Sequence, residues 1–365
     1  MENKVKLIAF YLPQFHPFKE NDEWWGKGFT EWTNVGKAKP LFKGHYQPKV
    51  PSDLGYYDLR LSEVREEQAR LAKEAGIYGF CYWHYWFNGH ELMERPWNEV
   101  VESGKPDFPF CIGWANESWM SKMWNKDGSL AGGKTLIEQT YGGEEDAKKH
   151  FQKLLPAFLD KRYIKIDNAP LVFIHRGLDL PKEVISLWNQ YSQEYGFSGI
   201  YFIGRITYIE FVDNGYQILK NKGYNAITIS RTGVATLKES SFKRFIRHIK
   251  AHLFYGNCVR AIKYSDDSKY YVDEFDKKED VCPAIYPNWD HSPRSGSRGL
   301  ILLHSSPRSF LKVLKRFIAQ IEQKDNKICF LKLWNEWGEG NYAEPDLKFG
   351  RGLLNSLKEV LVDKK

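Results

Sequence analysis

The sequence predicts a single (β/α)8 barrel over residues 1–365, and three observations carry that prediction. Eight short apolar runs alternate with longer amphipathic stretches. Each run is nearly continuous in apolar character, as in a parallel sheet covered on both faces. Eight such units in one chain of this length point to a barrel more than to an open sheet. A doubly wound nucleotide-binding sheet is disfavoured, because Pro13-Gln14-Phe15-His16-Pro17 follows the first run where a glycine-rich phosphate loop would stand.

The strands are expected at 5–12, 77–86, 108–114, 170–175, 199–206, 225–230, 282–286 and 328–334. Helical spacing predicts helices over 59–74, 92–102, 144–159, 181–195, 307–323 and 353–362, with Gly76 stopping the first. Two insertions interrupt the alternation. The stretch 16–58 reads as loop, dense in Gly, Pro, Trp and Tyr. The stretch 236–280 reads as helical and basic. Phe242, Phe245, Ile249 and Leu253 recur there at helical spacing, with Lys243, Arg244, Arg247 and Lys250 between them. Two readings stand for this insertion: a solvated helix packed on the barrel, or a peripheral contact with an anionic glycan or a membrane surface.

Composition narrows the class. Hydrophobic residues make up 42% and charged residues 27%, which suits a globular protein with a sizeable core. Aromatic residues reach 16%, many in polar company, as in Tyr82-Trp83-His84-Tyr85-Trp86 and Trp114-Ala115-Asn116-Glu117-Ser118-Trp119. Flat rings beside hydrogen-bonding groups suit a sugar's apolar faces and hydroxyl rim; an aromatic-rich core is the other reading. The formal charge is +7, and between 236 and 265 seven basic residues meet one acid, Glu239. No nucleic-acid motif accompanies them. The five cysteines are scattered and mostly lie in apolar runs, so buried free thiols are expected rather than a disulfide framework. No run of about 18 apolar residues predicts a membrane span. The opening residues run directly into a strand without an apolar signal region, so the expected compartment is the cytoplasm.

In such a barrel the chemistry lies where strands run into the following loops. The polar residues there are Gln14 and His16, His84 and Asn88, Asn116 and Glu117, His175 and Arg176, Arg205, then Asn288, Trp289 and Asp290. The last strand ends in Trp334-Asn335-Glu336-Trp337-Gly338-Glu339-Gly340-Asn341, which places two carboxylates three residues apart at the barrel mouth. Cleavage of a glycosidic bond needs one carboxyl to protonate the leaving oxygen and a second to act as nucleophile or base. Trp334 and Trp337 are expected to shield one carboxyl from water and so raise its pKa. The bland alternative is a carboxylate pair capping a helix N-terminus. A rival catalytic pair is Glu117 with Glu336, which a direct retaining mechanism would hold about 5–5.5 Å apart. His16, His45, His84 and His90 lack metal-ligand spacing, and no metal or cofactor is expected. No Gly-x-Ser-x-Gly elbow is present.

The sequence resembles WbsX-type proteins, relatives of glycoside hydrolase family 99 that are often labelled glycosyltransferases of lipopolysaccharide synthesis. The likeness spans nearly the whole chain. Its motifs are Tyr11-Leu-Pro-Gln-Phe-His16-Pro, Asn21-Asp-Glu-Trp-Trp-Gly-Lys-Gly-Phe-Thr-Glu-Trp-Thr33, Pro51-Ser-Asp-Leu-Gly-Tyr-Tyr-Asp58, Tyr85-Trp-Phe-Asn88, Trp114-Ala-Asn-Glu117, Asn335-Glu-Trp-Gly-Glu-Gly340 and Glu344-Pro345. Family 99 enzymes are retaining endo-α-mannosidases with an Asn-Glu-Trp-His-Glu-Gly block. The resemblance implies that Glu336 is the base, drawing the proton from the sugar 2-hydroxyl so that it attacks C1 to form a 1,2-anhydro sugar. It implies that Glu339 is the general acid. Gly338 stands where that block has His, a change expected to widen the site. Groups expected to bind the sugar are Tyr11, His16, Trp83, His84, Trp114, Asn116, Glu117, Arg205, Trp334, Asn335, Trp337 and Glu344. The leading function is a glycosidase on a bacterial polysaccharide or its lipid-linked precursor. A glycosyltransferase of O-antigen or capsule assembly is the alternative, although Asp266-Asp267 lies in a polar insertion without a nucleotide-binding context. A silent glycan-binding protein ranks third, since a binder does not need two adjacent acids.

Overall fold

The computed structural model describes residues 4–120, 123–124, 130–131 and 133–363. Eight parallel strands form the barrel: β1 (Lys6–Tyr11), β2 (Gly79–Phe87), β3 (Phe110–Trp114), β4 (Ala169–Ile174), β5 (Tyr201–Thr207), β6 (Ala226–Ser230), β7 (Ala284–Ile285) and β8 (Ile328–Leu331). Their order is β6-β5-β4-β3-β2-β1-β8-β7. The ring closes where Ile227 bridges Val281 in parallel and Thr228 Oγ1 donates to the Cys282 carbonyl at 2.7 Å. The (β/α)8 architecture is therefore the observed one, with each expected strand in place and β7 shortened to two residues.

Burial on both faces explains the strand sequences: every residue of β2, β3 and β4 is buried. Side chains alternate between lumen and outer helices. On the lumen side Phe10 stacks on Trp83 at 4.7 Å and meets Phe173 at 4.6 Å and Phe330 at 5.0 Å. These rings plug the barrel, and each such pair contributes about 0.5–1.5 kcal/mol beyond its buried area. Outside, the helices Ser62–Glu74, Gly143–Leu159, Lys182–Glu194 and Pro307–Ile321 pack on the sheet. All five cysteines are buried and unbridged.

The first insertion differs from expectation in containing helices, and the second is helical as expected. The 16–58 stretch contains two short helices, Lys19–Trp25 and Glu31–Lys37, the second opened by a capping box of Thr30 and Thr33. The basic stretch does form a helix, Ser241–Phe254, started by the Ser240 side chain. Its apolar residues do not pack on the barrel. Only Ala251 is buried, while Phe242 is 74%, Phe245 61% and Leu253 63% exposed. Among the described residues no helix is long and apolar enough to cross a membrane.

Candidate active site

A cleft of about 860 Å³ opens at the C-terminal ends of the strands. Trp83 and Tyr85 from β2, Arg205 from β5 and Ser230 from β6 line it, as do Glu117, His175, Tyr286, Lys332, Glu336 and Glu339 from the segments after strands. Trp25, Phe29, Trp119 and Trp289 supply further rings. The aromatic residues thus divide between the cleft lining and the core, where Trp114, Trp188, Trp334 and Trp337 are fully buried.

The two acids of the last strand sit on a tight turn. Asn335–Glu336 pairs antiparallel with Asn341–Tyr342, and a single 3-10 turn, Trp337–Glu339, joins them. Hydrogen bonds from behind fix this hairpin. The Asn335 side chain accepts from Leu12 N at 2.7 Å and donates to Leu12 O at 3.0 Å. The Trp337 ring stacks on Tyr342 at 3.8 Å, and its Nε1 donates to Glu344 at 2.6 Å. Tyr57 and Gln68 also donate to Glu344, at 2.9 and 2.6 Å. The result is a rigid support that turns both acids toward the cleft.

Arg294 joins the acids. It lies in the short helix Ser292–Ser295 after β7, and Asp290 braces that helix by accepting from Ser292 N and Oγ. Asp290 is in turn held by His45, Gln47 and Lys49. Arg294 Nη1 donates to Glu336 at 2.9 Å and to Glu339 at 2.5 Å. The other side of the guanidinium makes a bidentate contact with Glu31, at 3.0 and 2.8 Å. Glu31 opens the helix Glu31–Lys37 and is 1% exposed.

This contact corrects the reading of Gly338. A side chain there would place its Cβ 1.6 Å from Glu31 Oε1. The missing side chain therefore does not widen the cleft; the Glu31 carboxylate fills the space.

Three carboxylates on one guanidinium cannot all stay ionised at low cost. Burial, and then the Glu339 charge, push Glu336 up to about 8. Burial would raise Glu339 too, but Arg294 and His291, whose Nε2 lies 3.2 Å away, outweigh it and hold that carboxyl well below the usual range. Of the two, Glu336 is therefore the carboxyl that holds a proton more readily. Glu117 is half-exposed. Despite its desolvation it is held down to about 2, chiefly by His175, whose Nε2 stands 3.5 Å from its carboxylate.

The structure brings Trp83, Glu117, Arg205, Glu336 and Glu339 to the cleft and leaves the other expected residues behind it. Tyr11 points to the outer helices and donates to Gln68 at 2.6 Å. His84 faces outward and meets His150 Nε2 at 2.7 Å; burial lowers its pKa to about 3. Trp114 packs edge-on to His150, again on the outer face. His16 is buried against the Pro13 carbonyl. Asn116 braces a loop through Tyr141 and the Arg176 backbone. Trp334, Asn335, Trp337 and Glu344 support the acidic turn from behind, and none lines the cleft. Burial does raise one carboxyl of the pair, Glu336. Groups not foreseen are Glu31, Tyr85, His291, Arg294 and Lys332. Glu31 and Tyr85 lie in the motifs 21–33 and 85–88, and Lys332 is a charge inside the apolar run Ile328-Cys-Phe-Leu-Lys-Leu-Trp334. No group of three or more metal-ligating side chains is assembled among the described residues.

Comparison with known proteins agrees with this architecture. Two WxcX proteins, from two strains of Xanthomonas campestris pv. campestris, are each 33% identical over 97% of the chain. The chain spans about half the length of these relatives, 49% of each. Among solved structures, a glycoside hydrolase-like protein superposes with TM-score 0.61 at 15% identity, covering 98% of this chain and 94% of its own. The GH99 endo-α-mannosidase from Bacteroides thetaiotaomicron superposes with TM-score 0.55 at 13% identity, covering 97% of this chain and 95% of its own. At these identities the likeness is one of fold. Residues 7–357 match the family described as Glycosyltransferase WbsX, and the chain belongs to that family.

Proposed function

We propose that the protein is a retaining glycosidase that acts on a bacterial polysaccharide or its precursor, with an α-mannoside-like sugar at the site of cleavage. The observation that carries this reading is the pair Glu336 and Glu339, held on one arginine in an aromatic-lined cleft. The charged carboxyl, Glu339, takes the proton of the sugar 2-hydroxyl, whose oxygen then closes on C1. The protonated carboxyl, Glu336, gives its proton to the departing glycosidic oxygen as the C1–O bond breaks. The product is a 1,2-anhydro sugar. Water attacks C1, loses a proton to Glu336 and opens the epoxide as Glu339 returns its proton to O2, with net retention. This assignment of acid and base is the reverse of the one implied by the resemblance. It is supported by the two donors on Glu339, Arg294 and His291, against one on Glu336.

The test is to incubate the protein with α-mannosides and bacterial surface oligosaccharides and to follow the anomer first released by NMR. Release of the retained anomer is expected. The family description favours a second reading, sugar transfer. Consumption of a labelled sugar nucleotide only when acceptor is present, with no hydrolysis, would establish that reading and sink the first.

We also propose that the helix Ser241–Phe254 rests on an anionic membrane. Phe242, Phe245, Leu253 and Phe254 are exposed beside Lys243, Arg244 and Lys250, the pattern of a helix lying in a lipid interface. Sedimentation with phosphatidylglycerol vesicles is expected, with little on phosphatidylcholine and loss on replacing Phe242 and Phe245 by serine. Self-association of the free protein that the same replacements abolish, without vesicle binding, would assign the face to a second copy instead.

A further inference from the structure

Resting on the reading of the cleft as a glycan site, we infer that its inner part is a built subsite for an oxyanion carried by the sugar, a carboxylate or a phosphate. Arg205 and Lys332 both line the cleft, and neither forms an ion pair with a carboxylate among the described residues. Lys332 Nζ stands 5.1 Å from the centres of the Phe10 and Trp83 rings. Arg205 donates only a long hydrogen bond, Nη1 to the His175 carbonyl at 3.4 Å, and its Nε is buried with no partner. A further buried donor from the same lining, Thr232 Oγ1, is likewise unpartnered. Arg260, from the basic insertion, also lines the cleft.

The contrast with Arg294 is the core of the inference. In the same cleft Arg294 is saturated by three carboxylates, whereas Arg205 and Lys332 have none within contact. Buried charges are ordinarily paired, and like charges brought together cost free energy unless an anion stands between them. After burial, Arg205 is the strongest influence lowering Lys332, which falls to about 8. Glu336, Glu339 and Glu117 act on Lys332 only from a distance, and none of them forms an ion pair with it. An oxyanion would meet two cations and the unpartnered donors at once, a charge-assisted arrangement that a neutral hydroxymethyl group cannot match.

The experiment measures binding, by calorimetry, of three probes: methyl α-D-mannopyranoside, its 6-carboxylate and its 6-phosphate. At least tenfold tighter binding of one or both anionic probes is expected, and the tighter of the two identifies the source of the anion. Lys332→Met and Arg205→Met should each reduce the preference tenfold or more, and Arg205→Lys should keep part of it. Inorganic sulfate should compete with the anionic probes and not with the neutral one. That competition is read on the wild-type protein, so the inference remains testable if a variant fails to fold. Equal binding of the three probes, or a preference untouched in both methionine variants, would overturn it. Since binding is read without turnover, a protein that prefers the anionic probes but hydrolyses nothing keeps the subsite and loses the glycosidase reading. Cleavage of neutral glycans with no anionic preference has the opposite meaning.

Discussion

Replacing Glu336 by glutamine is expected to abolish turnover of an unactivated glycan while sparing that of a 2,4-dinitrophenyl glycoside. The dinitrophenolate leaves without a proton, so loss of a general acid hardly matters for it. On an ordinary glycoside the same loss costs about 10²–10⁴-fold. Glu339→Gln should depress both substrates by several orders of magnitude, because no base then draws the 2-hydroxyl proton. The pH profile gives an independent reading. Glu336 must be protonated to act, and its pKa is raised to about 8, so kcat/KM should hold through neutral pH and fall tenfold per unit above about 8. In Glu336→Gln, assayed on the dinitrophenyl substrate, that alkaline limb should vanish. The opposite pattern, with Glu339→Gln spared on the activated substrate, would make Glu336 the base. The proton would then have to sit on the carboxyl that Arg294 and His291 both contact, a minor form of the resting protein.

The division between what could and could not be read from the residues follows from the range of the interactions. Strands such as 170–175 were legible because a strand buried on both faces must be apolar throughout, and β4 is buried at every residue. The same continuity erased the parity of the strand. Trp83 and His84 are equally placed in the sequence, yet alternation sends one into the cleft and the other to His150 on the outer helix. Trp114, which faces the same helix, reads as a sugar-binding residue in sequence for this reason. The acidic turn was legible because its two carboxyls are three residues apart. The clamp across it was not, since Arg294 and Glu31 are separated by 263 positions. Glu31 lies in the motif 21–33, but nothing local marks its contact with Arg294, which emerges only when the barrel mouth closes.

A side chain at position 338 should therefore be read out through Glu31. An alanine Cβ would lie 1.6 Å from Glu31 Oε1 and 3.2 Å from Arg294 Nε, so the carboxylate must leave and the guanidinium must shift. Arg294 sets the spacing and the protonation of both acids, and a displacement near 1 Å at such a centre costs about 10²-fold in rate. Gly338→Ala is expected to lose at least that much in kcat/KM, with the alkaline limb moving as Arg294 loosens its hold on Glu336. Glu31→Ala removes the obstacle as well as the partner. In that background the added methyl meets Arg294 Nε, at 3.2 Å, which must give by a few tenths of an ångström, so the double variant should nearly match Glu31→Ala alone. Such non-additivity marks two residues that act through one contact. Losses that simply multiply would mean that Gly338 is required for the backbone of the turn rather than for the Glu31 carboxylate. The clamp would then be a bystander of catalysis. The expected cycle instead makes Gly338 and Glu31 one feature, in which a glycine in the turn admits a carboxylate from the first insertion to hold Arg294 between the two acids.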